Sequence, residues 1–352
     1  MSETSPRAFT LKTLMIVVTI LCVLMGLLFP AINTARMRAQ RMDCANNLKV
    51  LSLGLQNYHD TFLYLPYGAR NRTTGAPGDI PNWGSSWLLA TTPFCEQRPT
   101  FDQVVAQESQ SSRNDYLSAA VQNEVANARF KYMLCPFSPL PPLQNIGGLQ
   151  LTVPSYAGIM GANELTGQTP ATINVIDAEQ RLVVGPYQGI AAANGMLPVN
   201  ECLSLAACTD GTANTLIVGE VSHWYSDGRK QRNPALSVAD AGDSASNAAG
   251  WIAGTDLPDL IESGGPAVGP DRVLNLITIE HAIGTNGKSS DPKWGTQGIG
   301  RCGLNNPLLS SHPGGAWVAF TDAHVQLLTI HTDLYVLKRL AIRDDGGVLP
   351  DY

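Results

Sequence analysis

The residues whose chemistry could act on another molecule are few and scattered. His312, Asp322, His324 and His331 fall in one stretch near the C-terminal end. Asp322 and His324 are two positions apart, so a strand would turn both to one face. With His312 they would supply three ligands, enough to begin a zinc site. Ser311, His312 and Asp322 also contain the residue types of a nucleophilic triad, but a triad is defined by geometry. The near nucleophile elbow, Gly242 to Ser246, lacks the second Gly and the flanking strand and helix. We adopt the structural reading: His312 bonds a backbone carbonyl across a hairpin, and Asp322 caps its turn.

Asp210, Thr212 and Asn214 alternate as calcium-loop ligands do. The same stretch is a common turn sequence, because Gly211 supplies a positive φ. We expect no resident metal there; calcium is the alternative. Ala282 to Ser290 approaches a phosphate-binding loop through Gly287, Lys288 and Ser289. Such a loop needs a helix after it, and the following Pro and Gly residues prevent one, so nucleotide is not expected. Glu220 ends an apolar run and should pair with a cation or a backbone donor once buried. Trp83, Trp87, Trp224, Tyr225 and Trp317 could line a ligand cleft, although scattered aromatics more often build a core.

Seven cysteines complete the inventory. Cys22 lies in an apolar run and reads as a small filler. Cys44, Cys95, Cys135, Cys202, Cys208 and Cys302 show neither a CxxC pair nor a His at zinc-ribbon spacing. They favour disulfides in an oxidising compartment. Connectivity is not written in a sequence; the pairings carried forward are Cys44 with Cys135 and Cys202 with Cys208, against the alternative of free buried thiols.

The element that must position all of this is at the front. From Leu14 to Ile32 there is no charged residue. At about 1.5 Å per residue, a helix of that length matches a bilayer core. A signal peptide has an apolar core of roughly 7–15 residues, shorter than this one. Beyond Ile32, residues Leu48, Leu51, Leu55, Tyr58 and Phe62 keep helical spacing on one face. The reading is one long helix, in lipid for its first half and against a globular head for its second. Pro30 sits inside it, tolerable in a lipid-embedded helix.

The residues "FTL" before the apolar run, the placement of Pro30 and the amphipathic continuation resemble a type IV prepilin or pseudopilin N-terminus. The resemblance implies a cut between Ala8 and Phe9, methylation of Phe9, and filament entry aided by a Glu at the fifth mature position. Ala8 stands where that family has Gly, and Thr13 where it has Glu. Lys and Arg flank the run on both sides, as Arg7 and Lys12 before it and Arg36, Arg38 and Arg41 after it. Charge alone would place the head in the cytoplasm. The resemblance and the cysteines place it outside, and that orientation is the one we carry forward.

At 352 residues, with 15% charged residues, 33 Gly and 23 Pro, the chain suits an anchor plus a loop-rich, strand-containing head. A net charge of −6 without a basic run argues against nucleic acid. Leu65 to Trp87 reads as a surface loop, and Asn114 to Phe130 as a short helix. Tyr132 to Pro142 reads as a proline-rich turn. Short Val-, Ile- and Thr-rich strands follow from Leu149, with a polar loop at Ser237 to Gly250. A hairpin joins Ala316–Phe320 to His324–Thr329, and a final helix is stopped by Gly346 and Gly347.

Several pieces in order resemble one large bacterial family of unknown function, abundant in planctomycetes: "CANNLKVLSLGLQNYHD", "CPFSP", "SYAGIMG", "DGTANTLIVGE", and a terminal His–nine residues–Asp-Gly pattern. Here that last pattern is His312 and Asp322, with Ala323 in place of the Gly. The family is catalogued beside solute-binding proteins. The resulting expectation is an α+β protein. Residues 1–8 form a prepilin-like leader, 9–64 a long helix with a transmembrane segment at 14–32, and 65–352 a mostly antiparallel, extracytoplasmic head. It would be a pilin-like structural or interaction protein of the cell envelope, not an enzyme. Its expected partners are the membrane and other pilin-like subunits or copies of itself. An anchored solute- or glycan-binding protein is the alternative, ahead of an envelope hydrolase.

Overall fold

The computed structural model describes residues 11–72, 82–110, 116, 118–146, 148–163, 181–184, 189–223, 251–255, 273–285 and 304–347. Helix α1 runs unbroken from Leu11 to Phe62, 52 residues including Pro30. That is about 78 Å of rod. Its apolar first half is wholly exposed: Leu14, Ile16, Leu21, Leu24, Leu28 and Phe29 all face outward. The helix is long and apolar enough to cross a membrane. Burial begins at Cys44 and continues through Leu48, Leu51 and Leu55, which are fully buried. Tyr58 is half-buried, and Phe62 is exposed but packs edge-on to Phe94. The expected stripe is therefore the seam between rod and head.

The head is organised by a five-stranded sheet in the order β11-β10-β8-β5-β9. Its strands are β5 (Tyr156–Ala162), β8 (Leu216–Glu220), β9 (Leu276–Ile279), β10 (Gly315–Phe320) and β11 (Val325–Thr329). All pairs are antiparallel except β5 with β9. Residues of β5, β8 and β9 are buried throughout, which explains their continuous apolar character rather than an alternation. Helix α1 lies against β10, β11 and β8. Tyr156 Oη donates to the Cys44 carbonyl at 2.9 Å, and Asn47 Nδ2 to that of Leu134 at 2.8 Å. Lys49 Nζ reaches the Ala323 carbonyl at 2.6 Å, and Gln56 reaches that of Thr321. The rod thus grips the tight turn between β10 and β11.

Three readings of the sequence are corrected here. The stretch 65–87 is more than a loop: it contains β1 (Ala69–Arg72) and β2 (Asn82–Ser86), paired antiparallel, and leads into α2 (Trp87–Thr91). Among the described residues of 114–130, helix is found only as α4 (Ala119–Asn123), capped by the Ser118 hydroxyl, with Asn127 at φ +62° soon after. An unanticipated helix, α3 (Arg98–Gln110), precedes it, with a ladder pair between Arg98 and Asp102. The terminal helix α5 (Leu334–Ala341) is capped by Asp333 and stops at Ile342, before Gly346. The remaining strands, β3 (Leu143–Ile146) with β4 (Leu149–Thr152) and β6 (Leu182–Val184) with β7 (Ile190–Ala192), form two-stranded ribbons.

Ala323 has φ +67°. This left-handed conformation strains an L-residue by about 1–2 kcal/mol. Glycine relieves that, less the roughly 0.5–1 kcal/mol of extra chain entropy it loses on folding. Ala323→Gly should therefore stabilise the head by about 0.5–1 kcal/mol, read as a higher urea midpoint at unchanged slope. A lower midpoint would mean that the buried methyl matters more than the turn.

Candidate functional site

Four elements bring Cys44, Cys135, Glu220 and His312 together in the interior. Cys44 is on the buried face of α1. Cys135 follows a 3-10 turn at Lys131–Met133 and precedes Pro136. The two are joined in a disulfide with a Cα–Cα distance of 4.8 Å, across 91 residues of sequence, a spacing that suits a disulfide. Glu220 is the last residue of β8 and is fully buried. Its Oε1 accepts from Ser222 Oγ at 2.6 Å and its Oε2 from the Trp317 amide at 3.1 Å. His312 sits just before β10, its ring stacked on Phe137 with centroids 4.8 Å apart. His312 Nε2 is 3.6 Å from Glu220 Oε1 and 3.5 Å from Cys135 Sγ. Its Nδ1 is buried and has no hydrogen-bond partner among the described residues.

Burial pushes the Glu220 carboxyl up to about 7, against the pull of hydrogen bonds from Ser222, Trp317 and Ser310. Burial also pushes the His312 imidazole down to about 4, helped by the charge of Arg41. The 3.6 Å separation would suit an ion pair, but both shifts favour the neutral forms, so we read a neutral imidazole beside a carboxyl that is half-protonated near neutrality. The two act on stability with opposite slopes. Folding takes up a proton at Glu220 between its ordinary pKa and about 7, so that contribution is lost as pH rises. Folding releases one at His312 between about 4 and its ordinary pKa, so that contribution is lost as pH falls. In the oxidised protein the two oppose one another. His312→Asn should uncover the first, with the melting temperature falling from pH 5 to pH 7.5 by the equivalent of roughly 3 kcal/mol. Glu220→Gln should uncover the second, with the fall between pH 6.5 and pH 4.5. Parallel pH profiles for the two variants would refute this assignment.

Beside the disulfide a groove of about 640 Å³ opens between α1 and the proline-rich turn. Asp43, Asn46 and Asn47 line it from α1, and Arg129, Lys131 and Pro142 from the head. Cys135 and Ser155 also reach its wall. Among the described residues no aromatic ring lines it. Trp87 is instead buried in the core, where its indole donates to the Asn275 carbonyl at 2.9 Å, and Trp317 packs partly buried against that core. Trp83 lies in β2, and Trp224 and Tyr225 fall outside the described residues.

The other predicted positions do not assemble a site. His312 and Asp322 stand at opposite ends of β10, about 20 Å apart at the rise of an extended strand. The metal set His312, Asp322 and His324 and the triad with Ser311 are therefore not formed. His312 meets Glu220 and Cys135 rather than a carbonyl across the hairpin. Asp322 does cap the turn: its Oδ1 accepts from the His324 amide at 2.9 Å and faces His324 Nδ1 at 2.6 Å. Asp210 fastens the tail, accepting from the Asp345 and Gly346 amides at 2.6 and 2.9 Å. Asn214 Nδ2 donates to the Asp210 carbonyl at 3.0 Å, and the Thr212 carbonyl accepts from the Asp322 amide at 3.1 Å. Those residues perform turn chemistry. The pairing of Cys202 with Cys208 is wrong. Both thiols are free, Cys202 exposed and Cys208 buried with its Sγ 3.1 Å from Thr215 Oγ1, and a 3-10 turn at Leu205–Ala207 lies between them. Ala8, Phe9, Gly287 to Ser289 and residues 242–246 lie outside the described residues.

A long apolar helix seated on an α+β head, with a disulfide at the seam, defines the class of protein. The chain belongs to the family described as "Protein of unknown function (DUF1559)", whose model matches residues 33–334 and whose short name, SBP_bac_10, sets it beside bacterial solute-binding proteins. The match begins just after the apolar half of α1. Comparison with curated proteins and with solved structures returns no match.

Proposed function

We propose that this protein is a non-catalytic, membrane-anchored structural or interaction protein of the cell envelope, with a single span at residues 14–32 and its head outside the cytoplasm. One observation carries the reading: a single helix whose apolar half is bare and whose other half is the spine of the head. An exposed apolar surface of that extent needs lipid or other helices to cover it. The disulfide supports an oxidising location for the head. Packing of the apolar half against copies of itself or other pilin-like subunits is the assembly route we favour.

The location is tested with a membrane-impermeant maleimide on intact spheroplasts. The exposed thiol of Cys202 should be labelled in the full-length protein, read on the Cys202 peptide by mass spectrometry, and Cys202→Ser should lose that label. Labelling that appears only after lysis would put the head in the cytoplasm. Mass spectrometry of the mature N-terminus decides processing: a methylated Phe9 supports assembly, and an intact Met1 leaves a plain anchor. The groove beside α1 favours the second reading, an anchored solute-binding protein. Its test is thermal shift over a sugar panel, where a flat response argues against capture.

A further inference from the structure

Anchoring uses the disulfide as a staple but leaves Glu220 and His312 beside it without a task. A disulfide, a carboxyl and an imidazole from four distant segments meet in the interior, where a polar group is costly to bury unless it is used or paired, and His312 Nδ1 has no partner among the described residues. Their ligand atoms all lie within 4.8 Å of one another. Two thiolates, one imidazole nitrogen and one carboxylate oxygen are the donor types that hold zinc.

We propose that, when the Cys44–Cys135 bond is reduced, Cys44, Cys135, Glu220 and His312 bind one Zn²⁺ in a buried tetrahedral site. The distances carry it. With zinc bonds of about 2.3 Å to sulfur and about 2.0–2.2 Å to nitrogen and oxygen, tetrahedral edges are about 3.6 Å for S···N and about 3.4 Å for N···O. His312 Nε2 already stands 3.5 Å from Cys135 Sγ and 3.6 Å from Glu220 Oε1. The four donor atoms all lie within 4.8 Å of one another, so the freed sulfurs, which must part to about 3.8 Å, and the remaining pairs can reach tetrahedral edges by side-chain rotation. Glu220 is already oriented by Ser222 and Trp317, and the backbone at Cys135 by Ser155 Oγ at 3.0 Å, the kind of outer support that holds metal ligands in place. Stacking on Phe137 fixes the imidazole.

The chemistry balances. A phosphine donates two electrons and one water supplies two protons and the oxygen of the departing phosphine oxide; alternatively a dithiol donates two electrons and two protons and leaves as its disulfide. Zinc displaces both thiol protons, and the proton of Glu220 where the carboxyl carries one, to solvent and takes the Nε2 lone pair, so that Nδ1 carries the imidazole proton. The ion's two positive charges offset two of the three negative ligands. The same four residues therefore offer a covalent staple under oxidising conditions and a metal staple under reducing ones.

The test uses the full-length chain in detergent. After reduction by a phosphine, Co²⁺ and then Zn²⁺ are titrated in. One equivalent of Co²⁺ should give a thiolate charge-transfer band and the strong visible bands of a tetrahedral ion, and one equivalent of Zn²⁺ should bleach them. The oxidised protein should show neither. His312→Asn and Glu220→Gln should each weaken zinc binding at least about tenfold. Cys44→Ser/Cys135→Ser should abolish the bands although Cys22, Cys95, Cys202, Cys208 and Cys302 remain. Bands that persist in that double variant, reduced protein that binds no metal, or wild-type affinity in His312→Asn would each overturn the proposal. If reduction unfolds the chain, circular dichroism reads the same titration: zinc restores the fold, or the proposal fails.

Discussion

Replacing Cys44 and Cys135 together by alanine is expected to destabilise the head by about 4–5 kcal/mol. The bond closes a loop across 91 residues. Chain-entropy arguments give about 3 kcal/mol for a 15-residue loop and about 4.7 kcal/mol for one of 100 residues. A domain of this kind has only about 5–15 kcal/mol in total, so the variant should stand near the edge of folding. The loss is local as well as entropic. The bond ties α1 to the Lys131–Cys135 segment, which also receives the Asn47 side chain and presents Met133 to the core. Urea denaturation of the full-length protein in detergent, oxidised against the alanine variant, measures it. An unchanged midpoint would show that burial of Leu48, Leu51 and Leu55 alone holds the rod to the head.

The second large effect divides α1 in two. Removing residues 1–34 should move the protein entirely from the detergent-dependent to the detergent-free fraction while leaving the head's melting temperature nearly unchanged. Nothing in the apolar window touches the head, since none of it is buried. Leu51→Ala, in contrast, should leave membrane partition intact and destabilise the head by about 3–5 kcal/mol, because it empties a fully buried position between rod and sheet. Sedimentation without detergent and thermal denaturation score the two variants separately. If truncation unfolds the head, or if the full-length protein is soluble without detergent, the division fails.

What the sequence made legible follows from periodicity. The helix from Leu11 to Phe62 and the hairpin at Gly315–Thr329 repeat their patterns locally, so their types and nearly their ends could be read. The strands β1 and β2 could not. Ala69–Arg72 and Asn82–Ser86 have little strand propensity, and they pair through the head's own surroundings, with the Gly68 amide donating to the Pro198 carbonyl and the Ser86 amide to that of Ile252. Helix α3 did carry a usable sign in Pro99 at its start and the Arg98–Asp102 spacing.

The site was legible only in fragments. Glu220 showed as an acid ending an apolar strand, and His312 as part of a terminal pattern whose other half, Asp322, serves the far end of β10. Nothing local tells that residues 44, 135, 220 and 312 meet. The error over Cys202 and Cys208 has the same origin. Closeness in sequence invited a bond, but the turn at Leu205–Ala207 leaves one thiol at the surface and directs the other to Thr215.

Between Asn33 and Gln40 every residue of the rod is exposed, and its backbone ladder has no break before Arg41 meets the Pro313 carbonyl of the head. Eight helical residues make a stiff mast of about 12 Å. A lateral tug on the lobe at its top is then converted into a tilt or a twist of the segment at its foot, because no loop intervenes to absorb it. Whatever touches the lobe is felt at the base as torque.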